Sequence, residues 1–159
     1  MSSSQLTSWR IVRARYLPNA FTGEGAKRAG GRWNNRGTPL VYTAESKSLA
    51  VLEMLVHLET DEFLRHYRLI PATFDRSLIT ELDAADLPAN WKQYPAPFST
   101  KRIGDLWVAR RESIVLKAPS VIVPGESNFL LNPMHPQFRR VQIGSPERFR
   151  FDRRLKDSD

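Results

Sequence analysis

Short segments with strand-like and helix-like patterns follow one another along this chain without regular alternation, and this mixture constrains the fold most strongly. An opening strand is predicted at residues 8–16, where apolar residues alternate with arginines. Ser46 is suited to cap a helix over residues 47–59, and a second amphipathic helix is predicted at residues 104–112. Further strands are predicted within residues 63–74, at 120–123, at 129–131 and at 148–155. The mixture favours an α+β fold with a mostly antiparallel β-sheet core and flanking helices.

The 159 residues are enough for one domain with a buried core and too few for two. The eleven prolines are spread among predicted turns rather than gathered into a linker, so residues 1–159 are predicted to form a single domain. The absence of cysteine excludes disulfides, thiolate nucleophiles and cysteine-bound zinc. No secretion signal opens the chain, and no apolar run approaches the roughly 18 residues of a membrane span. We therefore expect a cytoplasmic protein without membrane association.

Lysine and arginine total 24 against 17 for aspartate and glutamate, which gives a net charge of +7. The excess is concentrated near the end of the chain, in a basic tail over about residues 148–159 and shortly before it. Nucleic acid, a phosphorylated metabolite and an acidic protein are all compatible partners, and an ordinary solvated basic face is the alternative. The basic residues in question are Arg139, Arg140, Arg148, Arg150, Arg153, Arg154 and Lys156.

Residues 30–53 place three reactive side chains on successive predicted elements. Arg32 follows a glycine pair, Tyr42 lies in a short strand, and Glu53 lies on the helix that follows. The glycines within residues 22–31 predict a loop, but their spacing matches neither the dinucleotide-fold fingerprint nor a P-loop. A turn centred near Gly37 would form a hairpin and bring Arg32 opposite Tyr42, with the two side chains about 5 Å apart. A cation, an aromatic hydroxyl and a carboxylate so arranged indicate a site.

Structural interpretations of the same residues stay open at this point. Glu53 is the strongest functional candidate, because it falls in a stripe with Leu49 and Val56, where an ionised carboxylate needs a partner or a function. Arg32 is suited to bind a phosphate or a carboxylate, but a salt bridge to Glu53 would explain it equally well. Tyr42 is more typical of a packed strand residue with its hydroxyl at the rim.

Ser127 and Asn128 are further candidates in the turn before the predicted strand 129–131. Both can donate hydrogen bonds to a ligand, although both are also ordinary turn residues. The three histidines are scattered, and His57 beside Glu53 lacks further ligands, so no metal site is expected.

Four segments of the chain resemble the RES domain, the toxin of bacterial RES–Xre toxin–antitoxin pairs, which is named for a characteristic Arg, Glu and Ser. They are WRIVRARY, FTGEGAKRAGGRWNNRGTPLVYTAESKSLAVLEMLVH, SVIVPGESNFLLNPMHP and FRFDRRL. The resemblance covers nearly the whole chain and is most specific in the long central block. It implies a fold similar to that of ADP-ribosyltransferases and an enzyme that degrades NAD, which is then a substrate and not a resident cofactor.

The resemblance also implies roles for residues. By position the characteristic residues are Arg32, Glu53 and Ser127, with Ser46 and Ser48 as alternatives for the serine. Cleavage of the nicotinamide–ribose bond passes through an oxocarbenium-like transition state, which Glu53 would stabilise. Arg32 would hold the pyrophosphate, and the matching aromatic, Tyr42, would stack on the nicotinamide ring. Ser127 and Asn128 would position the substrate, and water, phosphate or a macromolecule remains open as the acceptor.

The implied partner is an Xre-type helix-turn-helix antitoxin. We therefore expect a hetero-oligomer in which DNA is contacted only indirectly, through the antitoxin. ADP-ribosyl transfer to a macromolecule is the alternative reaction. A basic nucleic-acid-binding protein or ribonuclease is the alternative suggested by the arginine-rich end, although no RNA-binding signature or catalytic histidine pair accompanies it. A purely structural partner protein is the third possibility.

Overall fold

The computed structural model describes residues 4–156, which contain three α-helices and eight β-strands joined by turns and short 3₁₀ helices. The helices are α1 (Glu24–Ala29), α2 (Lys47–Leu55) and α3 (Phe98–Arg110). The strands are β1 (Gln5–Arg13), β2 (Val41–Ala44), β3 (Tyr67–Asp75), β4 (Ile79–Glu81), β5 (Val115–Pro119), β6 (Ser127–Leu131), β7 (Gln142–Ile143) and β8 (Glu147–Phe149).

The described strands form one sheet with the order β4-β5-β6-β2-β1-β3-β7, and β8 also pairs with β3. Every pairing is antiparallel except that of β4 with β5, which is parallel. The longest ladder joins β1 to β3 and runs from Gln5 opposite Asp75 to Arg13 opposite Tyr67. The predicted α+β class with a mostly antiparallel sheet is therefore confirmed.

The helices α2 and α3 cover the same face of the sheet. Tyr42 and Ala44 are two residues apart on β2, so their side chains lie on one face. Ala44 packs in the cluster around the fully buried Leu49 of α2, whereas Tyr42 packs in the cluster around Trp107 of α3. The space between the two clusters on this face holds the cavity described below.

The helix predicted after Ser46 is present, and its cap is confirmed. The Ser46 hydroxyl oxygen accepts a hydrogen bond from the Leu49 N–H at 3.0 Å, which satisfies one of the donors that a helix start leaves free. The helix ends at Leu55, four residues earlier than predicted. Val56 is 58% exposed, so the predicted apolar stripe does not extend to it.

The predicted hairpin around Gly37 is wrong. The neighbours of β2 are β1 and β6, and Tyr42 lies opposite Leu130. Arg32 lies instead in a tight turn closed by a bridge between Gly31 and Asn34. Part of the predicted glycine-rich loop at residues 22–31 is helix α1, which precedes this turn.

Other element bounds also differ from the prediction. The opening strand covers Gln5–Arg13 rather than residues 8–16, α3 begins six residues before position 104, and the strand predicted at 120–123 is β5, five residues earlier. Residues 120–123 form a bend because the Ser120 hydroxyl accepts hydrogen bonds from the N–H groups of Ile122 and Val123, each at 3.1 Å. A hydroxyl that binds nearby N–H groups competes with strand pairing.

The strand predicted at residues 148–155 is only partly present. It is β8, Glu147–Phe149, followed by a 3₁₀ helix at Arg153–Lys156. The last three residues of the predicted basic tail, 157–159, lie outside the described part of the chain, as do residues 1–3. The single-domain bounds of 1–159 stay a prediction. Each helix within residues 4–156 is too short or too polar to cross a membrane.

Candidate active site

A cavity of about 950 Å³ opens on the sheet face between α2 and the turn after α1. Its volume lies in the upper part of the range of small-molecule sites, roughly 300–1,000 Å³. The wall includes four of the five predicted site residues, which lie on the turn, β2, α2 and β6. They are Arg32, Tyr42, Glu53 and Asn128.

The turn that carries Arg32 is held mainly by the side chain of Asn34. This residue is fully buried, and its Nδ2 donates hydrogen bonds to the carbonyls of Ala26 at 2.8 Å, Asn35 at 3.1 Å and Thr38 at 3.1 Å. From α3, the Lys101 ammonium donates to the Gly31 carbonyl at 2.9 Å. The turn is therefore tied both to α1 before it and to α3 above it.

Tyr42 reaches the same turn with its hydroxyl. The hydroxyl donates to Asn34 Oδ1 at 2.6 Å and accepts the backbone N–H of Trp33 at 3.0 Å. Burial raises the pKa of Tyr42 well above its ordinary value, while the Trp33 N–H acts in the opposite direction. A Cβ at Gly31 would collide with the Tyr42 hydroxyl, so the glycine is required at this position. Tyr42 is thus an anchor of the turn as well as part of the cavity wall.

Arg32 is half-buried and positioned by two backbone carbonyls. Its Nη1 donates to the carbonyl of Trp91 at 2.8 Å and to that of Gln93 at 2.9 Å. Within the described residues, its Nη2 and Nε have no hydrogen-bond partner and no ion pair joins Arg32 to Glu53. Burial lowers the pKa of Arg32, while the charge of Glu53 raises it. The guanidinium is therefore fixed in place with two nitrogens left to bind a ligand.

Glu53 is held by a serine that the sequence reasoning missed. The Ser120 hydroxyl donates to Glu53 Oε1 at 3.1 Å, and Ser120 itself is only 2% exposed. Because this hydroxyl also accepts the N–H groups of Ile122 and Val123, its proton is directed at the carboxylate. A serine hydroxyl can accept N–H groups two and three residues later and so form such a turn, whereas the apolar residues after Ser120 favour the strand predicted at 120–123.

Arg10 on β1 is the second residue that was missed. Its Nε donates to the Ala20 carbonyl at 2.7 Å and its Nη1 to the Tyr42 carbonyl at 3.0 Å. Within residues 4–156, no carboxylate forms an ion pair with it, and burial lowers its pKa to about 10. Arg10 is half-buried, and a cation that is partly removed from water without a counter-ion is a candidate for binding an anion. Its signal was an arginine placed among the apolar residues of the opening strand.

The predicted pair Ser127 and Asn128 is divided by the structure. Asn128 lines the large cavity, and its Nδ2 donates to the Thr43 carbonyl at 3.3 Å. Ser127 lines a separate cavity of about 320 Å³, and its N–H donates to the Glu45 carboxylate. The serine that contacts Glu53 is therefore Ser120. No group of three or more metal-ligating side chains occurs within residues 4–156.

The RES domain family matches residues 7–152. The chain belongs to the RES domain family. The predicted resemblance is thereby confirmed, and the family match covers both the cavity and all of its charged wall residues.

Two relatives and one solved structure extend this assignment. A "Toxin Res" from Yersinia enterocolitica is 43% identical over 149 residues, which cover 93% of this chain and 98% of that protein. A "Prs ADP-ribosylating toxin" from Sphingobium sp. is 34% identical, over 92% of this chain and 94% of that protein. A chain of the M. tuberculosis MbcT–MbcA toxin–antitoxin complex has a similar fold, with a TM-score of 0.74 and 19% identity, over 92% of this chain and 85% of that chain.

Proposed function

We propose that this RES domain is the toxin of a toxin–antitoxin pair and that it cleaves the nicotinamide–ribose bond of NAD. The single observation that carries the reaction is a carboxylate, Glu53, held by the buried Ser120 in the wall of a cavity that also contains three cations, Arg10, Arg32 and Lys101. This set of charges fits a ligand that has an anionic group, which the cations bind, and a centre that becomes positive during the reaction, which the carboxylate stabilises. The names of the relatives support the role as a toxin.

The charge of the reaction explains the need for Glu53. The nicotinamide of NAD is cationic and leaves as a neutral molecule with the electrons of the broken bond, so the positive charge passes to the ribose. A fixed carboxylate beside this oxocarbenium-like centre stabilises it. The leaving group needs no proton, and a general acid is therefore not required. The Ser120 hydroxyl keeps the carboxylate in one orientation, so that little reorganisation is needed in the transition state.

Arg32 and Arg10 supply the complementary charge for the diphosphate. Nη2 and Nε of Arg32 form a fork suited to phosphate oxygens, while its Nη1 bonds prevent the guanidinium from turning away. Arg10 adds a further cation, which forms no ion pair with any residue that the structure describes. NAD is in this proposal a substrate, not a resident cofactor.

The aromatic and amide groups have subordinate roles. The Tyr42 ring borders the cavity and offers a face to the cationic nicotinamide, while its hydroxyl serves the turn. Asn128 can position the ribose or the carboxamide from the cavity wall. The sequence also predicts Ser127 as a substrate-binding residue, but it would act only from the neighbouring smaller cavity.

ADP-ribosyl transfer to a macromolecule is the second candidate, because the 34% identical Sphingobium relative is named an ADP-ribosylating toxin. The chemistry at Glu53 is the same in both cases, and only the acceptor differs. Water or phosphate would give a free product, whereas a side chain or nucleotide would give a modified macromolecule.

An antitoxin is the proposed partner. The fold is shared with a chain of a toxin–antitoxin complex, and the exposed arginines near β8 would suit an acidic surface of an Xre-type protein. DNA would then be contacted only through that antitoxin. Copurification with an Xre-type antitoxin from the same organism, followed by mass measurement of the complex, tests this partner.

The test of the reaction is release of nicotinamide from NAD by the purified chain, with products resolved by chromatography. We expect Glu53→Gln, which keeps the size and removes the charge, to lower the rate at least about 100-fold. Glu59→Gln is the matched control, because Glu59 is exposed and lies just beyond α2. Labelled NAD separates free ADP-ribose from a labelled macromolecule. Equal rates for the wild type and Glu53→Gln, or no release beside a working NAD-cleaving enzyme, would exclude the proposal.

A further inference from the structure

Tyr94 lines the large cavity although the residue is 79% exposed. In the part of the chain that the structure describes, its hydroxyl has no hydrogen-bond partner, so the residue is not held there for a polar contact of its own. An aromatic ring that stays open to water beside a cavity is typical of a surface that a ligand covers.

The loop that carries Tyr94 is anchored on both sides. Trp91 packs against the α3 cluster, and the Pro97 carbonyl accepts a hydrogen bond from the first turn of α3 at 3.1 Å. Between these anchors, Arg32 binds the carbonyls of Trp91 and Gln93. Tyr94 directly follows Gln93, and the position of its ring is therefore coupled to the guanidinium of Arg32.

The charged residues define a direction along the cavity. In the proposed function, Glu53 lies beside the ribose whose bond breaks, and Arg32 binds the diphosphate that joins the two halves of a dinucleotide. Beyond the diphosphate, on the side away from Glu53, lies the adenosine. Tyr94 lines the same cavity, follows the carbonyl that Arg32 binds and is open to solvent, so its ring is suited to meet this outer nucleoside.

We propose that Tyr94 is a specificity-determining residue whose ring stacks on the adenine of the bound nucleotide, an inference that rests on the proposed function for the order of the ligand in the cavity. Stacking on a base needs only the face of the ring, which agrees with the unpartnered hydroxyl. The residue would let the site distinguish an adenine dinucleotide from a nicotinamide mononucleotide, since only the dinucleotide reaches the rim.

The test measures binding of two half-ligands, AMP and nicotinamide mononucleotide, by calorimetry to the full chain. Glu53→Gln serves as the parent so that neither half is consumed. We expect Tyr94→Ala to weaken AMP binding roughly five- to 150-fold and to leave nicotinamide mononucleotide unchanged. Tyr94→Phe should retain the parent affinity. Phe98→Ala is the matched control, because Phe98 is 66% exposed on the neighbouring helix and does not line the cavity.

Each outcome decides the proposal. It is overturned if the parent binds no AMP, if Tyr94→Ala binds AMP as tightly as the parent, or if nicotinamide mononucleotide loses as much affinity as AMP. Because Tyr94 is highly exposed, Tyr94→Ala should unfold at the same temperature as the parent. A lower thermal midpoint would therefore reveal a folding defect of the variant. Failure of the proposed reaction has a different signature, because the wild type would then release no nicotinamide while AMP binding still depended on Tyr94.

Discussion

Tyr42→Phe separates the two roles of Tyr42, because it removes the hydroxyl and keeps the ring. The hydroxyl donates a hydrogen bond to Asn34 Oδ1 at 2.6 Å and accepts one from the Trp33 N–H at 3.0 Å. Asn34 and Trp33 are both almost completely buried. We expect a clear loss of stability with a smaller change in the KM for NAD, since the ring face is still present.

The magnitude follows from the two groups that lose their partner. A buried polar group left without a hydrogen bond costs about 1–3 kcal/mol, and two are created here. Because Tyr42 borders the cavity, water can replace part of the loss, and the expected decrease in the free energy of unfolding is about 2–4 kcal/mol. For a domain of this size, that lowers the thermal midpoint by roughly 5–15 °C.

The pH dependence gives an independent check. Burial raises the pKa of Tyr42, so the folded protein keeps the proton at a pH where the unfolded chain loses it, above about 10. The stability that this hydroxyl contributes is therefore fully present below about pH 10 and decreases as the pH rises further. The difference between the wild type and Tyr42→Phe should shrink above pH 10.

Urea denaturation followed by tryptophan fluorescence measures both effects, at pH 8 and at several values up to pH 11. Tyr94→Phe is the control, because it removes a hydroxyl that has no partner within the described residues. A loss for Tyr42→Phe below about 0.5 kcal/mol, equal to that of the control, would refute the assignment of Tyr42 as an anchor of the turn.

The remaining predictions concern Ser120 and Gly104. Ser120→Ala should lower the rate of nicotinamide release about 10- to 100-fold, because Glu53 loses the hydroxyl that orients it. Ser127→Ala should lower this rate less, since Ser127 lines the smaller cavity. The opposite order would favour Ser127 as the functional serine. Gly104→Ala should destabilise the protein by at least about 2 kcal/mol, since its Cβ would overlap the Trp33 carbonyl and push α3 from the turn. Thermal unfolding measures this loss, and an unchanged midpoint would contradict the close packing of α3 on the turn.

Local signals predicted much of the fold. The cap at Ser46, the helix after it and the alternation in the opening strand each depend on residues within one or two turns of the chain. Such signals depend little on the rest of the fold. They were enough to predict the α+β class and to select Glu53 as a residue that needs a partner. The family resemblance, carried mainly by the block around Gly30 and Glu53, was also readable from the residues alone.

The wrong predictions share a different cause. Turn residues favour a hairpin near Gly37, but β2 pairs with β1 and β6, where Val41 and Ala44 are almost completely buried. Strand order depends on the packing of the whole sheet, and no short segment contains that information. The same applies to the strand expected at residues 120–123, where one hydroxyl turns the chain instead.

The sequence by itself determined which residue types are available for chemistry: an arginine after paired glycines, a strand tyrosine and a helix glutamate. Only the tertiary structure decided which of them meet. Ser120 contacts Glu53 across 67 positions, and the carbonyl that holds Arg32 is 59 positions away at Trp91. These contacts exist because the sheet places β1, β2 and β6 side by side and leaves a cavity between α2 and the turn after α1. That arrangement is a property of the complete fold.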